Sequence, residues 1–206
     1  MRPKISLWLA IVVWFAVITQ FCLMLENRTA STAETIIRFF SFFTILTNSL
    51  AAIYFTVQAV KPKLLHKAGA LTALTVYITI VGAVYQLLLR HIWEPTGLQR
   101  LVDELLHTIN PLLVIGYWYV YEKAGELRFK QIGLWLLYPM AYLIFILVRG
   151  SFSNFYPYPF IHVAEIEIRQ ALTNSFMLLL VFIVTAAVFI FVGQRTSRKH
   201  LWREGF

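Results

Sequence analysis

Six stretches of the chain are long and apolar enough to cross a lipid bilayer: roughly residues 5–25, 36–60, 69–90, 101–121, 132–149 and 169–193. A span needs about 20 such residues, because a helix rises about 1.5 Å per residue through a hydrocarbon layer about 30 Å thick. That layer holds no water to satisfy backbone N–H and C=O groups, so such stretches close their hydrogen bonds within helices. The expected fold class is all-α: a polytopic membrane protein, a single domain over residues 1–206 built as a bundle of six transmembrane helices. Composition agrees, with 59% of the 206 residues hydrophobic and 14% charged, where a soluble domain carries about a quarter. The opening run MRPKISLWLAIVVWFAVITQFCLML has the basic lead of a signal peptide. Its apolar part exceeds the usual h-region of about 7–15 residues, and it reads as a retained first span.

The connections between spans carry the charge. Twelve Lys and Arg fall at the two ends and in the segments 61–67 and 123–130, against six on the other side. Basic residues collect on the cytoplasmic side of membranes, so both termini are expected in the cytoplasm, with the chain embedded in the cell membrane. A net charge of +8 then reflects loop topology, and no nucleic-acid partner is expected. The single Cys22 excludes an intrachain disulfide. HxxxH, HExxH, GxSxG, P-loop and dinucleotide-binding spacings are all absent, so neither a metal nor a cofactor is expected. Trp8, Trp93, Trp118, Trp135, Tyr156 and Tyr158 lie near span ends and read as interfacial anchors. The tetrapeptide LTNS occurs at 46–49 and again at 172–175, and reads first as a packing element, since Ser, Thr and Asn bridge membrane helices.

Polar residues inside the apolar runs are the chemical signal. Asp103, His107 and Asn110 follow at i, i+4 and i+7, one face of a helix. Ser41, Thr44 and Asn48 follow at i, i+3 and i+7 in the second stretch, with Thr47 a further hydroxyl. Counted along their helices, Thr44 and His107 reach similar depths, about 12 and 9 Å from the outer ends. Arg90, beside Gln86, and Arg149, in line with Tyr138 and Tyr142, sit at outer span ends. A charge in lipid costs about 2.5–3.5 kcal/mol on insertion scales, so these groups are expected to turn towards one another. The expected result is a polar pocket lined by the second to fifth spans and roofed by the loop YPYPF at 156–160. Two uses of it remain open. His107 is either a structural histidine bonded to a neighbouring helix or a base tuned by Asp103. The whole interior equally suits a transporter or binding protein in which Arg90 and Arg149 hold an anionic group.

Three segments, RFFSFFTILTN at 38–48, LLHTINPLL at 105–113 and YPYPF, together resemble the six-span prokaryotic membrane proteins known as Pr6Pr. These are distant relatives of the androgen-induced, FAR-17a-like membrane proteins of animals. The resemblance covers roughly residues 36 to 190, and LLHTINPLL is its most specific piece. It implies an integral membrane hydrolase of fatty acyl esters with a threonine nucleophile and a histidine base. The histidine falls on His107 and the threonine on Thr44, with Ser41 and Thr47 as alternatives. Asp103 would orient the imidazole, Asn48 or Asn110 would donate to an oxyanion, and Tyr142 and Tyr158 would line the site. The implied partner is a membrane lipid or an amphipathic small molecule.

Overall fold

The computed structural model describes residues 2–62, 64–65 and 68–203, with side chains to residue 196. Lys63, Lys67 and the basic side chains beyond residue 196, which the charge count uses, lie outside the described residues. Every regular element among those described is helical. In order they are α1 (Arg2–Glu26), α2 (Thr32–Phe39), α3 (Phe43–Val60), α4 (Ala70–Leu89), α5 (97–121), α6 (Phe129–Ser153) and α7 (Val163–Arg203), the last broken near its start by a kink at Glu167, which has φ 64°. Five of them, α1, α3, α4, α6 and α7, contain stretches long and apolar enough to cross a membrane, as in a multi-pass membrane protein. The expected fourth span forms α5 but is not in that set, because Arg100, Asp103, Glu104, His107 and Asn110 interrupt its apolar run.

Helix α4 is the centre of the bundle, buried along most of its length and packed against α3, α5 and α7. Helix α1 lies along α3, where Leu9, Ala10 and Val13 meet Ala51, Ala52 and Phe55. Small residues at such a seam let backbones approach closely, and dispersion and hydrogen bonds hold helices together in lipid. Trp118 and Trp135 belong to this interior. Both are buried, and the Trp118 indole donates to Thr72 Oγ1 at 2.9 Å, so neither is an interfacial anchor, and Tyr158 is buried too. Trp8 and Trp93 are exposed. The two LTNS copies do pack: Asn48 donates to Leu106 O and Asn174 to Phe160 O, each outside its own helix.

The stretch expected as one span over 36–60 is two helices. Helix α2 ends at Phe39, residues 40–42 make a turn with Phe42 extended, and α3 starts at Phe43. The aromatic run explains the break. In one helix Phe39, Phe42 and Phe43 would share a face. Instead Phe39 packs edge-on to Phe21 of α1, Phe42 meets Tyr158 of the roof loop, and Phe43 meets Tyr138 and Tyr142 of α6. The turn's freed carbonyl, Ser41 O, accepts from the Tyr142 hydroxyl at 2.8 Å. Ser41 and Thr44 are therefore not on one helix face, and Thr44 is the second residue of α3 rather than two turns in.

At the same end of the bundle, α6 stops at Asn154, which has φ 53° and donates its N–H to Gly150 O at 2.8 Å. The chain then folds back so tightly that a Cβ on Gly150 would collide with the Tyr156 ring. This reversal lays residues 156–160 over the start of α3.

Candidate functional site

Two π-helical turns face each other across the bundle, Tyr85–Leu89 closing α4 and Leu105–Ile109 within α5. The second follows from Pro111, which has no N–H to offer the carbonyls one turn back. Asn110 N–H bonds Leu105 O, five residues earlier, and the Leu106 carbonyl needs a donor from outside. Asn48 supplies it. Its Nδ2 donates to Leu106 O at 3.2 Å and to Thr44 O at 2.9 Å, while its Oδ1 accepts from Asn110 Nδ2 at 2.8 Å. Gly82 permits the close approach of α4, since a Cβ there would sit 3.1 Å from His107 O. Wide turns of this kind concentrate at functional sites because they re-aim one side chain.

The side chain re-aimed here is His107. Its ring stacks on Tyr85, centroids 4.1 Å apart and planes 14° apart. Nδ1 faces two acceptors, Asp103 O at 3.0 Å and Asp103 Oδ1 at 3.2 Å. In the neutral imidazole, two acceptors on one ring nitrogen place the proton there and leave the Nε2 lone pair free. Nε2 has no hydrogen-bond partner among the described residues. Asp103 is 5% exposed, and its other oxygen, Oδ2, is buried near the Tyr85 phenol, with no hydrogen bond of good geometry among the described residues.

Thr44 comes from the neighbouring helix α3, on the same Asn48 bridge. It is 7% exposed, its N–H donates to the Tyr158 hydroxyl at 3.3 Å, and its Oγ1 shares a 3.4 Å hydrogen bond with the same hydroxyl. Thr44, Asp103, His107, Tyr85 and Tyr158 all line one cavity of about 480 Å³. Leu23 and Met24 of α1, Phe39 and Phe42 complete much of its apolar wall, and Pro157 and Pro159 roof it. A second cavity, of about 280 Å³ and almost wholly apolar, lies among α4, α6 and α7. Thr44, Leu89 and Tyr158 line both, so Thr44 lies on the boundary between the two.

No family model, no curated protein and no solved structure matches the chain.

The remaining expected site residues separate from the cavity. Ser41 is fully buried and donates to Ile37 O. Thr47 bonds Tyr138, and Asn48 and Asn110 are committed to the α3–α5 contact. Neither amide is placed to meet an oxyanion. Arg90 closes a ring of side chains with Glu104, Thr108 and Gln86, and Arg149 pairs with Glu34 at 2.7 Å. Neither arginine lines the large cavity or is free to hold an anion. Tyr142 lines the smaller cavity. The expected pocket walls also shift, with α1 replacing α6 around the large cavity.

Two features were not anticipated. Tyr85 has no polar pattern to mark it, and its stacking on His107 depends on both π turns. Glu34 is the other, since it holds Arg38 and Arg149, each at 2.7 Å, and both guanidinium groups lie over the Phe155 ring. This clasp ties α2 to α6 and the roof. The Arg38 hydrogen bond, helped by Arg149, holds the Glu34 carboxyl below the usual carboxylate range against partial burial. Burial pushes the Tyr158 phenol up despite its bonds to Thr44, so it stays protonated at neutral pH.

Proposed function

We propose that this is a six-span membrane protein that hydrolyses lipid esters, with Thr44 as nucleophile and His107 as general base. Helix α5 is the sixth span, its polar residues turned into the bundle. The observation that carries the reading is that a threonine hydroxyl and an imidazole, brought by two neighbouring helices that Asn48 ties together, line one cavity. A threonine hydroxyl is a weak nucleophile until a base takes its proton. Asp103, by fixing the proton on Nδ1, makes Nε2 that base, the part an orienting carboxylate plays in a hydrolytic triad. The resemblance to Pr6Pr names the same two residues. The two cavities meeting at Thr44 suit a substrate whose ester lies between two apolar arms, which is the chemistry of a lipid ester.

The test is hydrolysis of a long-chain fatty acyl ester by the purified chain in lipid nanodiscs. Cleavage that disappears in both Thr44→Ala and His107→Ala, while Ser41→Ala and Thr47→Ala retain it, supports the proposal. Cleavage that survives either of the first two refutes it.

A second reading is a lipid-binding or transporting membrane protein with no chemistry. It is favoured by one observation: the nearest partner of the Thr44 hydroxyl is Tyr158, and no hydrogen bond joins Thr44 to His107 among the described residues. Catalytic contacts often tighten only around substrate, and the same assay separates the readings.

A further inference from the structure

The oxyanion donors that sequence suggests, Asn48 and Asn110, are occupied in the α3–α5 contact. A hydrolase built on Thr44 still needs a donor where the carbonyl oxygen becomes negative, because such preorganised donors are usually the largest single contribution to acyl transfer. The geometry points to the Tyr158 hydroxyl, together with the Thr44 N–H, as the oxyanion donor pair of this site. This inference rests on the proposed hydrolase reading.

Among the described residues, Tyr158 is the one side chain hydrogen-bonded to the Thr44 hydroxyl, at 3.4 Å from Oγ1 and 3.3 Å from the Thr44 N. A carbonyl carbon bonded to Thr44 Oγ1 carries its oxygen into reach of groups that already contact that hydroxyl. Both contacts are at the long, weak end of hydrogen-bond distances, so a carbonyl oxygen displaces them at little cost. The Thr44 N–H belongs to the first turn of α3, an 18-residue helix with no side-chain cap of its own, where amide N–H groups are unpaired and the helix end is partly positive. The phenol is held in place by stacking on Phe160, centroids 5.2 Å apart and planes 4° apart, and by an edge contact with Phe42. A donor fixed in advance needs no reorganisation when charge develops.

Groups of the site and one water carry every proton and electron pair of the reaction. The Thr44 hydroxyl proton passes to His107 Nε2 as Oγ1 bonds the acyl carbon. The carbonyl π pair moves onto oxygen, where Tyr158 O–H and Thr44 N–H donate to it. Collapse returns that pair, breaks the bond to the leaving alkoxide, and His107 returns the proton to it. Water, activated by the same imidazole, then cleaves the acyl-threonine. Tyr158 keeps its proton throughout.

The experiment compares wild type and Tyr158→Phe, full chains in nanodiscs, on a p-nitrophenyl ester of a long-chain fatty acid. A long-chain trifluoromethyl ketone serves as tetrahedral-adduct former, and the matching methyl ketone as unreactive control. Loss of one oxyanion donor predicts kcat lower by about 100-fold with KM within about twofold. Affinity for the trifluoromethyl ketone falls by a similar factor and that for the methyl ketone stays unchanged. A packing role alone would move both ketones together. In case the phenylalanine variant does not fold, 3-fluorotyrosine at 158 keeps the packing and strengthens the donor, and it predicts tighter trifluoromethyl ketone binding. Unchanged kcat and ketone selectivity in Tyr158→Phe, or unchanged binding with fluorotyrosine, overturns the role of Tyr158 and leaves Thr44 and His107 standing. Wild type that neither cleaves the ester nor binds the trifluoromethyl ketone overturns this inference and the hydrolase reading together.

Discussion

Asn48 ties the backbone at Thr44 to the backbone at Leu106, one residue before His107, and is fully buried. Replacing it with Leu leaves the Leu106 carbonyl and the Asn110 amide without partners, so the expected loss is about 1–3 kcal/mol, read as a lower thermal midpoint in detergent. An unchanged midpoint would show that the carbonyl finds another donor. Glu34 makes a pH prediction. Its native carboxyl sits below the ordinary value near 4.5, so its clasp contributes fully above that value and is lost as pH falls through it towards the lower native one. Thermal stability should be flat in this respect between about pH 8 and pH 6 and fall on the acid side, and Glu34→Gln should remove that acid-side component. Residues of this kind divide in legibility. Asp103 and His107 stand out because ionisable groups are rare in apolar runs, whereas Thr44 is one hydroxyl among several and is set apart from Ser41 and Thr47 only by the resemblance. The occupation of Asn48 and the reach of Tyr158 to Thr44, 114 residues away, depend on where two backbones meet, which no local pattern encodes.

At the scale of elements, the π turn in α5 is assigned to Pro111. Pro111→Ala restores an N–H, lets the turn relax towards α geometry, and rotates His107 away from Tyr85. The expected outcome is equal or higher thermal stability with ester cleavage at least about tenfold lower, since small displacements of a catalytic group are expensive in rate. Unchanged cleavage would show that the wide turn does not place the imidazole. Gly150→Ala belongs to the same scale: its Cβ collides with Tyr156, so the roof shifts and Tyr158 withdraws from Thr44. The expected sign is reduced cleavage with a modest change in melting. Hydropathy marked the long helices well, because an apolar run of span length has few other folds. It missed the break at residues 40–42, because Phe40, Ser41 and Phe42 are as apolar in sum as the helices beside them and the break is set by where each ring finds its partner.

For the whole molecule, the open quantity is parity. Five helices have the length and composition of spans and α5 stands apart. If α5 crosses, the chain crosses six times and both ends lie on one side; if it does not, they lie on opposite sides. Reporter fusions before Arg2 and after residue 203 decide this, with both reporters cytoplasmic as the expected result. The central claim is that imidazole and hydroxyl act on one acyl group inside the bundle. Its most direct measurement is the site of covalent capture by an alkyl fluorophosphonate, read by mass spectrometry of the digested protein. The account predicts a single adduct on Thr44 that is lost in His107→Ala; no adduct, or one on another residue that persists without the imidazole, would contradict it.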